Sequence, residues 1–345
     1  MAGLVFWPGY GVAPMAPYNQ CMKISGRYLL VFALIFLFSG PNCNGQDEGK
    51  PVQPIDQSSF GAAQLAGRIE AHRLVECSGL ETSLVTGDLL WAVNDGGHGP
   101  FLYALGSDGR NRGRVLVAGA QNRDWEGLET FFWRGRPMIL IADFGDNDEQ
   151  YDTHTLYIVA EPPLYGERYG ESAIVDIAWR IVFLYPDRKH DAEGVAVDTV
   201  SEKILVLTKR DNPPLLFELP LRPPSTDQHI VAHHVTTVGR IPPPSDKDLL
   251  QKHGTFQSQP TSLDFSTDGL QAVVLTYKHA YLFKRSNHDS WGKVLSGNPI
   301  LIPLPLPHND SDLRQREAIC FTPDGRSLLV TSEGRGAGIF RLEAR

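Results

Sequence analysis

Two kinds of position in this chain collect side chains able to hold a cation or stabilise an anion. Acids open a series of short β-type runs at Glu76, Asp124, Glu126, Asp191, Glu193 and Glu317. A second set follows strongly apolar runs: Asn94, Asp95, Asp143, Asp146, Asn147, Lys209, Asp211, Asn212, Lys278, His279 and Glu333. If both sets reach one place, their carboxylates repel one another and their protons are held too tightly. A hard cation relieves that repulsion, and Ca²⁺ takes six to eight oxygens of this kind. Mg²⁺ and Mn²⁺ use the same ligand types. The metal-ligand set read from the sequence is Glu76, Asn94, Asp95, Glu126, Asp143, Asp146, Asn147, Glu193, Glu317 and Glu333. Lys209 and His279 are the groups placed to steady a developing anion. Two plainer accounts stand beside this one. Lys209, Lys278, Arg210 and Arg335 would neutralise the acids as salt bridges, and Asp-Gly pairs such as 108–109, 268–269 and 324–325 are hairpin-turn chemistry. Trp91, Trp125 and Trp179 read as core aromatics.

For these groups to meet, the chain must return repeatedly to one axis. It does so in its pattern. An acidic opening, a short strand, a turn, an apolar strand, a polar loop and a third strand with an aromatic residue recur five times. The openings are Glu76-Cys77-Ser78-Gly79-Leu80, Asp124-Trp125-Glu126-Gly127-Leu128, Asp191-Ala192-Glu193-Gly194-Val195, Pro260-Thr261-Ser262-Leu263 and Arg316-Glu317-Ala318-Ile319. Fourth strands are expected at residues 114–118, 178–185, 234–241 and 299–306, while the fifth unit runs out of chain. A period of roughly 50–70 residues with four strands per unit predicts an all-β propeller. Five blades are legible, and the spacing between the second, third and fourth leaves room for a sixth. Residues 68–75 have no unit of their own, so they are expected to close the ring as the outer strand of the last blade. In a blade the first strand lines the channel and the second runs back beside it. Strand-one openings and strand-two exits therefore share one channel mouth.

The 345 residues carry 32 Lys and Arg against 40 Asp and Glu, a formal charge of −8. With no basic block, a nucleic-acid partner is excluded. Lys23 and Arg27 precede the eleven-residue apolar run 28–38, and small and turn-forming residues follow. That is signal-peptide grammar in a run too short to span a bilayer comfortably, and the basic region would begin naturally at Met22. Residues 1–45 are read as a leader, 46–64 as a polar, Pro-containing linker, and 65–345 as the propeller. The expected protein is secreted or periplasmic, monomeric and without a transmembrane span in its mature form. Its partner would be a small molecule or an envelope ligand at the channel mouth. Of four cysteines, Cys77 and Cys320 lie in the propeller, where a disulfide and two buried thiols are both open. The G-x-S-x-G elbow, H-E-x-x-H and the P-loop are absent, and no Rossmann fingerprint follows a strand.

The motifs Glu76-Cys77-Ser78-Gly79, Trp91-x-x-Asn94-Asp95, Asn122-Arg123-Asp124-Trp125-Glu126, Ala142-Asp143-Phe144-Gly145-Asp146-Asn147, Glu161-Pro162, Asp191-Ala192-Glu193, Thr208-Lys209, Thr276-Tyr277 and Glu317-Ala318 resemble an uncharacterised family of secreted bacterial β-propellers. The resemblance covers about residues 74–342. It implies a distant similarity to phytase-like and lactonase-like propellers, which bind Ca²⁺ on the channel face and hydrolyse phosphoesters or esters. The chain departs from that pattern at Asp148-Glu149-Gln150, where family members tend to carry Arg, and at Gly127 and Gly194. Two functional readings follow. One is a metal-dependent phosphoester, ester or lactone hydrolase. The other is a non-catalytic extracellular binding or scaffold module.

Overall fold

A computed structural model describes residues 60–345 except 171, 226–227, 287–288 and 306–312. The leader, its cleavage region and most of the linker lie outside the described residues. No described helix is long and apolar enough to cross a membrane.

The chain first lays down β1 (Gln64–Arg68). The first blade is β2 (Cys77–Thr82), β3 (Leu89–Asn94), β4 (Phe101–Gly106) and β5 (Asn111–Ala118). The second is β6 (Trp125–Trp133), β7 (Arg136–Asp143), β8 (His154–Ala160) and β9 (Ile174–Leu184). The third is β10 (Ala192–Asp198), β11 (Lys203–Thr208), β12 (Leu215–Pro220) and β14 (His233–Thr237); the two-residue β13 (Ile230–Val231) before β14 pairs in parallel with β9 of the second blade. The fourth is β15 (Pro260–Phe265), β16 (Gln271–Thr276), β17 (Ala280–Lys284) and β18 (Ile300–Ile302). The fifth is β19 (Arg316–Phe321), β20 (Ser327–Ser332) and β21 (Gly338–Glu343). Each blade is antiparallel from its first strand outward, and β1 pairs with β21 to complete the fifth. The first strands neighbour one another in a cycle, β2–β6–β10–β15–β19 and back to β2. This is a five-bladed β-propeller. A core forms at every blade interface, for example Trp91, Trp125, Val117 and Ile141 between the first and second blades, and Leu205, Leu263 and Trp291 between the third and fourth.

The chain length that left room for a sixth blade is used otherwise. The first three residues of β9 pair in parallel with β5, which joins the first two blades at their outer edges. The connection from β14 to β15 carries a short helix α1 (Asp246–Leu249) and a 3-10 turn at Gly254–Phe256. Ser245 and Asp248 close a reciprocal capping box on α1. A second helix, α2 (Trp291–Leu295), packs Trp291 flat on Phe265, with ring centroids 3.9 Å apart.

Ring closure occurs as expected in topology, but with a different segment. The pairing strand is Gln64–Arg68, not residues 68–75. Ile69, Ala71 and Leu74 are buried between the fifth and first blades, so their apolar character serves a crossover rather than a strand. Phe60, counted as linker in the sequence, is 4% exposed and bridges Ala344. It joins the core between the fourth and fifth blades with Leu342 and Leu304. Phe60→Ala should therefore cost about 3–5 kcal/mol, the usual range for emptying a buried aromatic site. Denaturant unfolding measures this. A change below about 0.5 kcal/mol would show that the segment before β1 does not hold the ring shut.

Candidate functional site

One irregularity recurs in every first strand. The pairing of first and second strands skips one residue between Cys77 and Gly79, Trp125 and Gly127, Ala192 and Gly194, Pro260 and Ser262, and Arg316 and Ala318. The skipped residues are Ser78, Glu126, Glu193, Thr261 and Glu317. A bulge of this kind re-aims the extra side chain. The residues after it are small, because neighbouring first strands nearly touch there. A Cβ on Gly194 would lie 2.9 Å from Leu263 Cβ on the next blade.

The paired residues at the second-strand ends are Asn94, Asp143, Thr208, Thr276 and Ser332. The residues just beyond them are Asp95, Phe144, Lys209, Tyr277 and Glu333. A cavity of about 570 Å³ is lined by Asp95, Glu126, Glu193, Lys209, Tyr277, Glu317 and Glu333 from these two sets, with Asn147 beside them. The wall is completed by His253, Phe256, Gln257 and Gln259 from the β14–β15 connection, and by Arg210, Arg314 and Gln315.

The Lys209 ammonium contacts Glu193 Oε1 and sits 5.3 Å from the Tyr277 ring centroid. Burial pulls the Lys209 pKa down, but Glu193, Tyr277, Glu317 and Glu126 together hold it above the ordinary lysine range. Burial lifts the Glu193 carboxyl to about 7 even with Lys209 beside it. Burial and Glu193 push Glu126 and Glu317 well above the usual carboxylate range. Glu193 Oε2 is buried without a hydrogen-bond partner among the described residues. Asp95, Asp124 and Glu126 each offer an oxygen within 4.8 Å of the other two. Two oxygens on opposite sides of a Ca²⁺ ion at about 2.4 Å are that far apart, so the set fits a hard cation. Burial and a hydrogen bond to Asp95 lift Asp124 to about 8, a strain that bound positive charge would relieve. Gly145 is required over this group, since a Cβ there would lie 2.5 Å from Asp124 Oδ2.

Of the other residues singled out from sequence, Asn94, Asp143, Asp146, Glu76 and His279 do not line the cavity, while Asn147 and Glu333 do. Asn94 Oδ1 accepts the Val75 and Glu76 amides (2.9 and 3.0 Å), and Asp143 Oδ1 accepts those of Arg123 and Asp124 (3.1 and 2.8 Å). Both occupy the paired register position, so they fasten the start of a first strand instead of facing the cavity. Asp146 accepts the Gln150 and Tyr151 amides at 2.7 and 2.9 Å and holds its own turn. Glu76 is exposed, 3.5 Å from His98. It lies two residues before the bulge, and the first-blade counterpart of Glu126, Glu193 and Glu317 is Ser78, which donates to the Trp125 carbonyl at 2.6 Å. His279 does not line the cavity. Its Nδ1 accepts the Leu304 amide at 3.4 Å, and burial lowers its pKa to about 4. Asn147 is at the exposed rim, accepting from Arg210, whose Nε donates to Asp191 at 2.8 Å. Glu333 accepts from Gln315 at 2.8 Å.

Sequence reasoning placed Asp124 among the openings but left it out of the ligand set, and it quoted Tyr277 in the Thr276-Tyr277 motif without giving it a role. The register of Tyr277 matches that of Lys209, a signal present in the repeat. The wall from the β14–β15 connection has no counterpart in other blades, hence no repeat signal. Cys77 and Cys320 are both buried as free thiols, and burial pushes Cys77 up to about 12.

No family model matches the chain, and no curated protein matches it. Among solved structures, a chain of the nidogen/laminin complex is similar at 12% identity and TM-score 0.41, over 75% of this chain and 73% of that one. A gluconolactonase from Xanthomonas campestris is similar at 13% identity and TM-score 0.40, covering 86% and 99%. The PQQ-bound aldose sugar dehydrogenase of Streptomyces coelicolor is similar at 9% identity and TM-score 0.46, covering 82% and 97%.

The buried Lys209–Glu193 pair yields a pH-dependent expectation. A carboxyl whose folded pKa is raised from 4.5 to about 7 binds extra proton in the folded state, so stability falls as pH rises through that window. Lys209→Met removes the charge that limits this rise. The variant should lose about 3–5 kcal/mol at pH 8 and much less at pH 5, where the carboxyls are protonated. Equal losses at both pH values in denaturant titrations would mean that Lys209 acts through packing alone.

Proposed function

We propose that the channel mouth is the catalytic centre of a divalent-cation-dependent hydrolase acting on a small phosphoester, carboxylic ester or lactone. The observation that carries the reading is the adjacency of a three-carboxylate group (Asp95, Asp124, Glu126), of which Asp95 and Glu126 line the cavity, and a buried acid–lysine pair (Glu193, Lys209) lining the same cavity. A cation held by Asp95, Asp124 and Glu126 would polarise the scissile oxygen. Glu193, with its pKa near neutrality, takes a proton from the attacking water. Lys209 and the Tyr277 hydroxyl face the same space and stabilise developing negative charge. Gln257 and Gln259 supply neutral donors at the wall for substrate orientation.

The proposal includes export, with cleavage between Ser39 and Gln46, and a non-catalytic extracellular binding module as the competing reading. N-terminal sequencing of the exported protein checks the first point; a start upstream of Tyr28 would remove it.

Calorimetric titration of chelator-stripped protein with Ca²⁺, Mg²⁺ and Mn²⁺, followed by a phosphoesterase, esterase and lactonase panel, tests the rest. Cation uptake should vanish in Asp124→Asn combined with Glu126→Gln. Glu193→Gln should lower kcat about 10²–10⁴-fold, and the wild-type rate should rise with pH through about 7. Cation binding without turnover on any panel member would favour the binding module. No cation uptake by the wild type would sink both metal readings of the mouth.

A further inference from the structure

The bulge places a second set of side chains in register deeper in the channel. Three residues past the skipped position, the first strands carry Glu81, Glu129, Ala196, Asp264 and Cys320. Each is paired with the second strand of its own blade: Glu81 with Trp91, Glu129 with Leu140, Ala196 with Leu205, Asp264 with Val273, and Cys320 with Leu329. Three of the five are acids from three different blades. They are 4%, 4% and 2% exposed, and each offers an oxygen within 4.8 Å of the other two. None forms an ion pair with Lys, Arg or His among the described residues, unlike Glu193 at the mouth. Asp264 Oδ2 accepts the Phe321 amide at 2.6 Å. Glu129 Oε2 has no hydrogen-bond partner among the described residues, although the side chain is more than nine-tenths buried. A small cavity of about 120 Å³ is lined by all three carboxylates and by Trp291.

We propose that Glu81, Glu129 and Asp264 hold a hard divalent cation of the Ca²⁺ class inside the channel, clamping the first, second and fourth blades together. Three buried carboxylates without a protein cation are costly unless a proton or a metal ion supplies the missing charge. Glu81 and Glu129 each hydrogen-bond to Asp264, and the second oxygen of Glu129 remains without a partner among the described residues, open to a metal ion. The ligand set is oxygen-only, and the residues of the other two blades at this register, Ala196 and Cys320, are buried in the blade-interface cores. Burial, and then Glu81 and Asp264, push the Cys320 thiol well above its usual range. With three protein carboxylates, water in the adjoining cavity would complete the six to eight oxygens that Ca²⁺ takes.

This site is independent of the catalytic reading of the mouth, and the test separates the two. Wild type, a mouth variant (Asp124→Asn with Glu126→Gln) and an inner variant (Glu81→Gln with Glu129→Gln) are unfolded in urea and refolded with Ca²⁺ or with chelator, because a buried ion enters during folding. Bound calcium is then counted by atomic emission. The mouth variant should retain one equivalent per chain, and the inner variant should hold one fewer than wild type. In the mouth variant, Tb³⁺ in place of Ca²⁺ should give tryptophan-sensitised emission that falls severalfold on Trp291→Phe. The mouth variant should also melt at higher temperature with Ca²⁺ than with chelator. If the inner variant does not refold, the mouth variant's metal count and Tb³⁺ signal still decide. A mouth variant with no bound calcium and no Tb³⁺ signal overturns the proposal. So does an inner variant that binds as much calcium as wild type, or one that is more stable than wild type in both buffers, as a proton-sharing triad would be.

Discussion

In an unbroken antiparallel pair, side chains alternate strictly between faces, and the residues after Cys77, Trp125, Ala192, Pro260 and Arg316 would follow that alternation into the blade interfaces. The inserted residue in every first strand changes their direction. It turns Glu126, Glu193 and Glu317 into the mouth cavity. It also resets the alternation, so that Leu80, Leu128, Val195, Leu263 and Ile319 enter the interface cores while Glu81, Glu129 and Asp264 meet deeper in the channel. One backbone device, repeated five times, therefore settles core packing and site chemistry together. The glycines at 79, 127 and 194 fit this close packing, since a Cβ on each would meet the neighbouring first strand at 2.9–3.1 Å.

The same repetition creates an electrostatic problem. Radial symmetry multiplies any side chain at a channel-facing register, and acids multiplied around an axis repel. The mouth answers with one buried ammonium, Lys209, placed where the first and fifth blades carry Asp95 and Glu333. Its contact with Glu193 lets that acid keep a pKa near neutrality while Glu126 and Glu317 are driven higher. The deeper ring has no such residue. Each level keeps one unpartnered carboxylate oxygen, on Glu193 and on Glu129, but only the mouth has a buried ammonium from the chain beside it.

Much of this was legible in the sequence. Blade number, strand order within blades and the convergence of openings and exits follow from a period that sequence displays directly. The errors are errors of register by one or two residues. Glu76 and Ser78 are two apart, and only the bulge decides which of them corresponds to Glu126. Asn94 and Asp95 are adjacent, yet one caps backbone amides and the other faces the cavity. Asp143 shows the same ambiguity, because a carboxylate at a strand end serves equally as ligand or cap, and pairing decides. Closure was displaced because Ile69, Ala71 and Leu74 have the spacing of a strand but pack as a crossover. His253 and Phe256 lie on a connection without internal repetition, so nothing in the periodic pattern pointed to them.

The departures from five-fold repetition give the mouth a direction. Asp95 from the first blade and Asp124 and Glu126 from the second gather negative charge on one side. Glu193 and Lys209 occupy the third blade, and Tyr277 the fourth. At the corresponding positions Phe144 is apolar and buried, while Ser78 is spent on the Trp125 carbonyl, so neither competes for a ligand. The cavity therefore has oxygens suited to a cation at the first two blades, an acid beside a buried ammonium at the third, a phenol at the fourth and two further acids, Glu317 and Glu333, at the fifth. A ring of identical blades could concentrate charge on its axis but would present the same group on every side; here the sides differ through single substitutions at repeated positions.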